Sequence, residues 1–415
     1  MLALLMSVAA LLLGAGLLNA GNGVFTTFLS VRMSLEGFPT EVTGLVMTAY
    51  YVGLAVGTRL SDRIINRVGH IRAFAAFVAL ASATVLIAAF FVSPYVWGAM
   101  RGVLGFCFAG LFMIVESWLN TRATTATRGR LFSSYMMLSY LSLGGGQLLL
   151  NVRDPRGNDF FLIGVLFYCL AALPVSLTSS MSPSPVRTSR LGLRTLYRIS
   201  PLGILACIGS GLANSALYGM GPVFAHGSGF SLAETSYFMG AAVLSGLLLQ
   251  YPVGRLSDRY DRRAVIIAVV LLSAAASVGL VLLTGQDKLA LVALVCVYGG
   301  FSFTLYPLGV SHANDFLDAK DAVKAAGGLI LAWGMGASVG PLAASAIMGV
   351  LGPRGLFVFV AAVDIVLAIF ALWRMTRRPT VPAQAKGAFT PRGGMTPVGA
   401  EAAKAHHAEE PEPVA

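Results

Sequence analysis

From about residue 3 to residue 31 the chain is almost unbroken apolar sequence, and this run is the first of twelve. The others cover about 41–62, 72–92, 95–120, 131–152, 159–179, 201–225, 233–257, 263–284, 289–313, 324–350 and 354–375. Each is long enough to cross a hydrocarbon core of roughly 30 Å as a helix. Lipid offers no partner to backbone N–H and C=O groups, so helices that satisfy their own backbone are the expected form. The remaining composition agrees. Of 415 residues, 56% are hydrophobic and 11% charged, against about 25% charged in soluble domains. A soluble fold with so few charges could not cover its exterior. The expectation is an all-α membrane protein with 12 transmembrane helices. The first run lacks a basic leading stretch and continues past Asn19, so it reads as a membrane helix and not a cleaved leader.

The twelve runs are two sets of six. Leu60-Ser61-Asp62-Arg63 returns 196 positions later as Leu256-Ser257-Asp258-Arg259. Gly16-Leu17-Leu18-Asn19 returns as Gly211-Leu212-Ala213-Asn214, and Gly105-Phe106-Cys107-Phe108 as Gly300-Phe301-Ser302-Phe303, both at offset 195. Three echoes at nearly one spacing imply a duplicated unit. An even number of crossings per unit makes the two repeats parallel, related by an axis along the membrane normal. The expected organisation is a six-helix bundle over 1–180, a linker over 181–200, a second bundle over 201–375 and a disordered tail over 376–415. The linker is rich in Pro, Ser and Arg, the tail in Pro, Ala and Gly.

The net charge of +11 sits in the short loops, which argues for membrane orientation and against nucleic acid as a partner. With the N-terminus cytoplasmic, 23 of the 29 Lys and Arg fall on the cytoplasmic side. The positive-inside rule therefore predicts both termini inside. The four cysteines, Cys107, Cys169, Cys207 and Cys296, lie within apolar runs without metal-ligand spacing. They are expected to be buried thiols, with no disulfide framework and no metal site. The glycine clusters lie inside apolar helices and lack a following Lys-Ser/Thr, so no nucleotide-binding loop and no cofactor is expected.

Gly254, Leu256, Asp258, Arg259, Arg262 and Arg263 resemble the loop signature of the major facilitator superfamily, with Asp261 where the family has glycine. Gly57, Asp62, Arg63, Arg67, Gly69 and Arg72 form a looser first copy. Arg101 and Gly105 resemble the family's membrane-embedded Arg-x-x-x-Gly pattern. Gly327, Gly336, Gly340 and Pro341 match G-x8-G-x3-G-P, which drug/proton antiporters carry in the fifth helix and this chain carries in the eleventh. Its fifth run has Gly144-Gly145-Gly146-Gln147 without the proline. The run Glu116-Ser117-Trp118-Leu119-Asn120 is similar to a YcaD-type bacterial subgroup. The resemblance implies the major facilitator fold, a bacterial inner membrane location and transport by alternating access.

It also implies a gating latch made of Asp62, Arg63, Arg72, Asp258, Arg259, Arg262 and Arg263, the acids meeting a helix N-terminus of the other half. A carboxylate at the positive end of a helix is stabilised by about 0.3–2 kcal/mol. The alternative is plain interfacial charge. Arg101 within the fourth run costs roughly 2.5–3.5 kcal/mol on insertion scales, which calls for a purpose. It could receive a proton-linked carboxylate or an anionic substrate, or snorkel to the interface. Glu116, Asp364 and His312 are the other proton-coupling candidates, each weighed against a structural role in pairing or packing. Asn19, Asn22, Tyr50, Gln147, Asn214, Tyr218 and Gln250 are candidate cavity residues, weighed against interhelical hydrogen bonding.

The expected function is secondary active transport of a small organic solute, coupled to protons, with efflux favoured over metabolite or sugar uptake. The partners are that solute, protons and the lipid bilayer, and the expected state is a monomer. A non-transporting receptor or scaffold is the alternative of another class. An enzyme is disfavoured, because the helices contain almost no histidine and no catalytic constellation.

Overall fold

The structure is a computed structural model that describes residues 2–177, 191–317 and 319–377. The first half contains α1 (Leu2–Leu35), α2 (Thr40–Val68), α3 (His70–Phe90), α4 (Pro94–Arg122), α5 (Thr125–Leu148) and α6 (Asp159–Ser176). A short helix, α7 (Leu193–Ile199), precedes α8 (Pro201–Gly227), α9 (Leu232–Arg259), α10 (Arg262–Leu283) and α11 (Lys288–Asn314). The last two apolar runs form α12 (Ala319–Ala337), α13 (Gly340–Leu351) and α14 (Gly355–Arg377). Among the described residues the fold is wholly helical.

The helix ends follow local chemistry. Pro94 and Pro201 open α4 and α8, where a missing N–H costs nothing. Ser231 and Glu234 form a reciprocal capping box at α9, with bonds of 3.2 and 2.6 Å. Asp261 and Asp287 cap α10 and α11. Gly69, at φ +87°, makes the one-residue turn between α2 and α3, a conformation that favours glycine.

Ten of the twelve apolar runs map onto single helices, and an eleventh, 131–152, covers most of α5 and then a short 3-10 turn, Leu149–Asn151. The run 324–350 belongs to two, α12 and α13, separated by Ser338 and Val339. Pro341 is the cause: it has no N–H to donate to the preceding turn, and its ring excludes a continuous helix. Nine stretches of the described residues are long and apolar enough to cross a membrane by composition alone, with Lys324–Arg377 counted as one. The polar α2 and α5 fall outside that count. Both helices line the interior, where polarity is tolerated.

Apolar packing follows the repeat. One core joins residues of α1 to α6, including Phe28, Phe74, Phe108, Trp118 and Tyr168. Separate clusters join α8 to α14, among them Phe224, Phe238, Tyr298 and Phe357. Of the expected linker, 191–200 is described. Leu196 of α7 packs against α12 at Gly328, and the Leu191 N–H donates to the Lys324 carbonyl at 3.0 Å. Residues 181–190 and the tail beyond Arg377 lie outside the described residues. All four cysteines are free, and Cys169, expected to be buried, is exposed on α6. Its Sγ lies 3.6 Å from Ser82 Oγ of α3.

The bundle has a Gly37 end, where α1 turns into α2, and a Gly69 end, where α2 turns into α3. The halves approach most closely toward the Gly37 end. A Cβ on Gly44 would overlap Ser345, one on Gly349 would overlap the Glu41 carboxylate, and one on Gly219 would press on Met47 and Pro341. Gly144 and Gly240 bring α5 against α9 in the same way. Ser30 donates to the Gly219 carbonyl at 2.7 Å, and Ser236 to the Asn151 side chain at 3.2 Å.

Candidate functional site

A cavity of about 150 Å³ lies between the halves. Its wall draws on α1, α2, α4 and α5 from one half and on α8, α11 and α12 from the other. Six of the seven residues expected there line it: Asn19, Asn22, Tyr50, Gln147, Asn214 and Tyr218. Gln250 does not. It is buried in α9, a helix that contributes no residue to that wall, and its Nε2 has no hydrogen-bond partner among the described residues.

The two asparagines that echo each other are both fixed by hydrogen bonds. Asn19 donates to the Ala15 carbonyl at 2.9 Å and lies 3.5 Å from Ser139 Oγ on α5. Asn214 donates to Ser210 at 3.1 Å and accepts from Ser302 of α11 at 2.8 Å. Each therefore couples neighbouring helices and also presents polar surface to the cavity, so the two roles weighed for them coexist.

Aromatic side chains not among the expected cavity residues supply much of the wall. Tyr51 of α2 meets Trp333 of α12 at 6.3 Å between ring centroids, and Trp333 meets Tyr306 at 6.4 Å. Phe303 sits 6.1 Å from Tyr140 and 5.6 Å from Tyr218. Two of these contacts, Tyr51–Trp333 and Tyr140–Phe303, bridge the halves. The signal was helical spacing: Met136, Ser139, Tyr140, Leu143 and Gln147 recur at three and four residues and share one face of α5. Gln147 was enough to find that face.

Arg101 also lines the cavity and is 2% exposed. Its guanidinium carbon stands 4.6 Å from the Tyr50 ring centroid and 6.0 Å from that of Phe25. Nη1 donates to Thr26 Oγ1 at 3.3 Å and Nη2 approaches Met47 Sδ at 3.5 Å, while Nε has no acceptor among the described residues. Gly105 makes this placement possible. A Cβ there would overlap the Tyr50 carbonyl oxygen, and one on Gly53 would overlap that of Gly102. Glycines at both positions let α2 and α4 touch backbone to backbone, one turn from the arginine.

The other candidates lie off the cavity wall. Glu116 is fully buried in α4, next to Tyr135. Asp364 is buried in α14 beside Ser273 and Tyr298, its Oδ2 without a partner among the described residues. Tyr298 connects to the cavity through Ser302, 3.4 Å away, which donates to Asn214. His312 is buried near the end of α11 and meets Phe316 edge-on at 5.2 Å.

The latch residues stand at the Gly69 end. Asp62 accepts from its neighbour's N–H, that of Arg63, at 2.8 Å. Arg63 and Arg72 are exposed. The second copy forms pairs within its own half: Asp258 with Arg262 at 3.0 Å, Arg262 with Asp315 at 3.1 Å and Asp261 with Arg263 at 2.8 Å. Arg259 lies 5.8 Å from the Tyr260 ring. In this conformation these contacts tie α9, α10 and α11 to one another. Among the described residues no group of three or more His, Cys, Asp or Glu is placed to hold a metal ion.

Comparison with known proteins places this architecture. The model of the Major Facilitator Superfamily matches residues 11–307 and 204–405. The chain is 30% identical over 381 residues to an MFS-type transporter of Yersinia enterocolitica, YE1530, covering 90% of this chain and 97% of that protein. It is 28% identical to the MFS-type transporter YcaD of Escherichia fergusonii, covering 88% and 95%. The crystal structure of a mutant of the nucleoside transporter NupG superposes with a TM-score of 0.75 at 15% identity, over 89% of this chain and 100% of that one. That last likeness shows the fold alone. With its duplicated helices, its central cavity and a family match that spans nearly the whole chain, this protein belongs to the Major Facilitator Superfamily of membrane transporters.

Proposed function

We propose that this chain is a secondary active transporter that moves a small organic solute by alternating access, driven by the proton gradient and working in the direction of export. The observation that carries the reading is the cavity at the seam of the two repeats, bounded by both and sealed by close packing toward the Gly37 end. A solute there is released to one side or the other when the halves tilt. The basic loops support both termini being cytoplasmic in a bacterial inner membrane; on that reading the closely packed Gly37 end faces outside and the cavity opens inward.

Proton coupling rests on buried carboxyl groups. Asp364 has the better route to the cavity, through Tyr298, Ser302 and Asn214. Glu116 stands behind the wall of the first half beside Tyr135. The acidic latch is proposed to act in the outward-open state, when the Gly69 end closes. The test is a solute panel on purified protein in liposomes, with and without an imposed pH gradient. Asp364→Asn is expected to lose gradient-driven accumulation while keeping solute exchange at equal pH. Glu116→Gln provides the parallel measurement. Gradient-driven flux at the wild-type rate in both variants would remove the two carboxyls from coupling. A folded protein that moves no solute across a broad panel would favour a receptor or scaffold.

A further inference from the structure

Among the described residues, Arg101 is the one charged side chain that lines the cavity, and no Asp or Glu joins it there. Its two hydrogen-bond partners are neutral, a threonine hydroxyl at 3.3 Å and a thioether sulfur at 3.5 Å. The Nε–Nη2 edge is the side of a guanidinium that grips a carboxylate or phosphate with two parallel hydrogen bonds. Here that edge carries no oxygen acceptor: Nε is unpartnered among the described residues, and Nη2 has only the Met47 sulfur, a weak acceptor. The Tyr50 ring at 4.6 Å offsets part of the charge. A tyrosine face does not replace an anion in a water-poor site. The rest of the wall is uncharged: Tyr51, Phe112, Tyr140, Phe303 and Trp333 give it aromatic surface, and asparagine, threonine, serine and glutamine side chains give it neutral polar groups.

Resting on the transport reading above, the geometry points to the class of solute: we infer that the cavity takes an organic anion, with an aromatic or aliphatic body and a carboxylate or phosphate that docks on Arg101. The anion supplies the missing acceptors of the Nε–Nη2 edge. Asn19, Asn22 and Asn214 hold polar groups elsewhere on the solute, and the aromatic wall covers its apolar part. Gly105 is part of the same device, since it brings α4 close enough for Tyr50 to support the guanidinium.

The test is binding by the purified full-length chain in detergent, followed by thermal stability and calorimetry, without a membrane or gradient. The probes are matched pairs: phenylacetate with phenylacetamide, indole-3-acetate with indole-3-acetamide, and phenyl phosphate with benzyl alcohol. At least one anion is expected to bind, roughly tenfold or more tightly than its neutral mate, the worth of a charge-assisted bidentate contact. Arg101→Gln should erase that preference, and Arg101→Lys should keep part of it, having the charge without the fork. The wild-type comparison needs no variant, so it stands even if Arg101→Gln fails to fold. Equal binding of anion and amide, a preference that survives Arg101→Gln, or the absence of any anion among the binders would each overturn the inference. Failure of flux with anion binding intact would sink the transport reading alone. Flux of a neutral solute, indifferent to Arg101, would sink this inference alone.

Discussion

Gly105 and Arg101 are four residues apart, one turn of helix, and the structure gives them one job between them. The glycine lets the α4 backbone meet the α2 backbone at Tyr50, and the arginine one turn earlier lies over the Tyr50 ring. Gly105→Ala is expected to destabilise the fold by about 1–3 kcal/mol, the usual range for overpacking, because its methyl would press on a backbone carbonyl that cannot swing aside. Gly145 is the control: a Cβ there meets nothing within 4 Å. Gly145→Ala should be neutral or stabilising by about 0.5–1 kcal/mol, since glycine within a helix is costly. Thermal unfolding of the two variants side by side checks the contrast, and equal behaviour would contradict it. At this scale the sequence was informative where a residue type is expensive in lipid. A buried arginine, two echoed asparagines and a glutamine beside a glycine cluster all proved to line the cavity. Gln250 is as polar and as buried, yet it lies off that wall, and residue type alone does not separate the two kinds of position. The ring contacts of Trp333 were also out of reach, because they depend on how the halves meet.

At the level of helices, boundaries were legible wherever apolar sequence stops at Pro, Gly or charge. The break between α12 and α13 was readable in principle from Gly340-Pro341, yet an unbroken apolar run concealed it. Beyond the break, α13 packs against α2, where Gly44 and Gly349 admit Ser345 and Glu41. The seal toward the Gly37 end thus depends on small residues on both sides. A second part of it is the hydrogen bond from Ser236 of α9 to Asn151, just past α5. A variant with cysteines at both positions, Ser236→Cys with Asn151→Cys, should crosslink under mild oxidation in a background lacking the four native cysteines. Transport should fall to background when crosslinked and return on reduction. Undiminished transport by the fully crosslinked protein would show that this seal never opens.

For the whole molecule, duplication was the strongest message of the sequence, and it predicts a pseudo-symmetric machine with a site on its axis. What one sequence could not supply was the conformation. The echoed acids suggested a latch between halves, whereas the second copy forms Asp258–Arg262–Asp315 pairs within one half. Such a cluster is compatible with a latch that forms only when the Gly69 end is shut. The proposed transport requires movement: the seal at one end opens as the other closes, about a cavity that stays between them. Pulsed electron-spin distance measurements test it most directly, with one label pair replacing Glu36 and Gln286 toward the Gly37 end and another replacing Arg67 and Tyr260 toward the Gly69 end, all exposed positions. With transported solute or an imposed pH gradient, the account predicts that one distance lengthens while the other shortens. Distances that stay fixed, or that change in the same sense, while solute still crosses would contradict it.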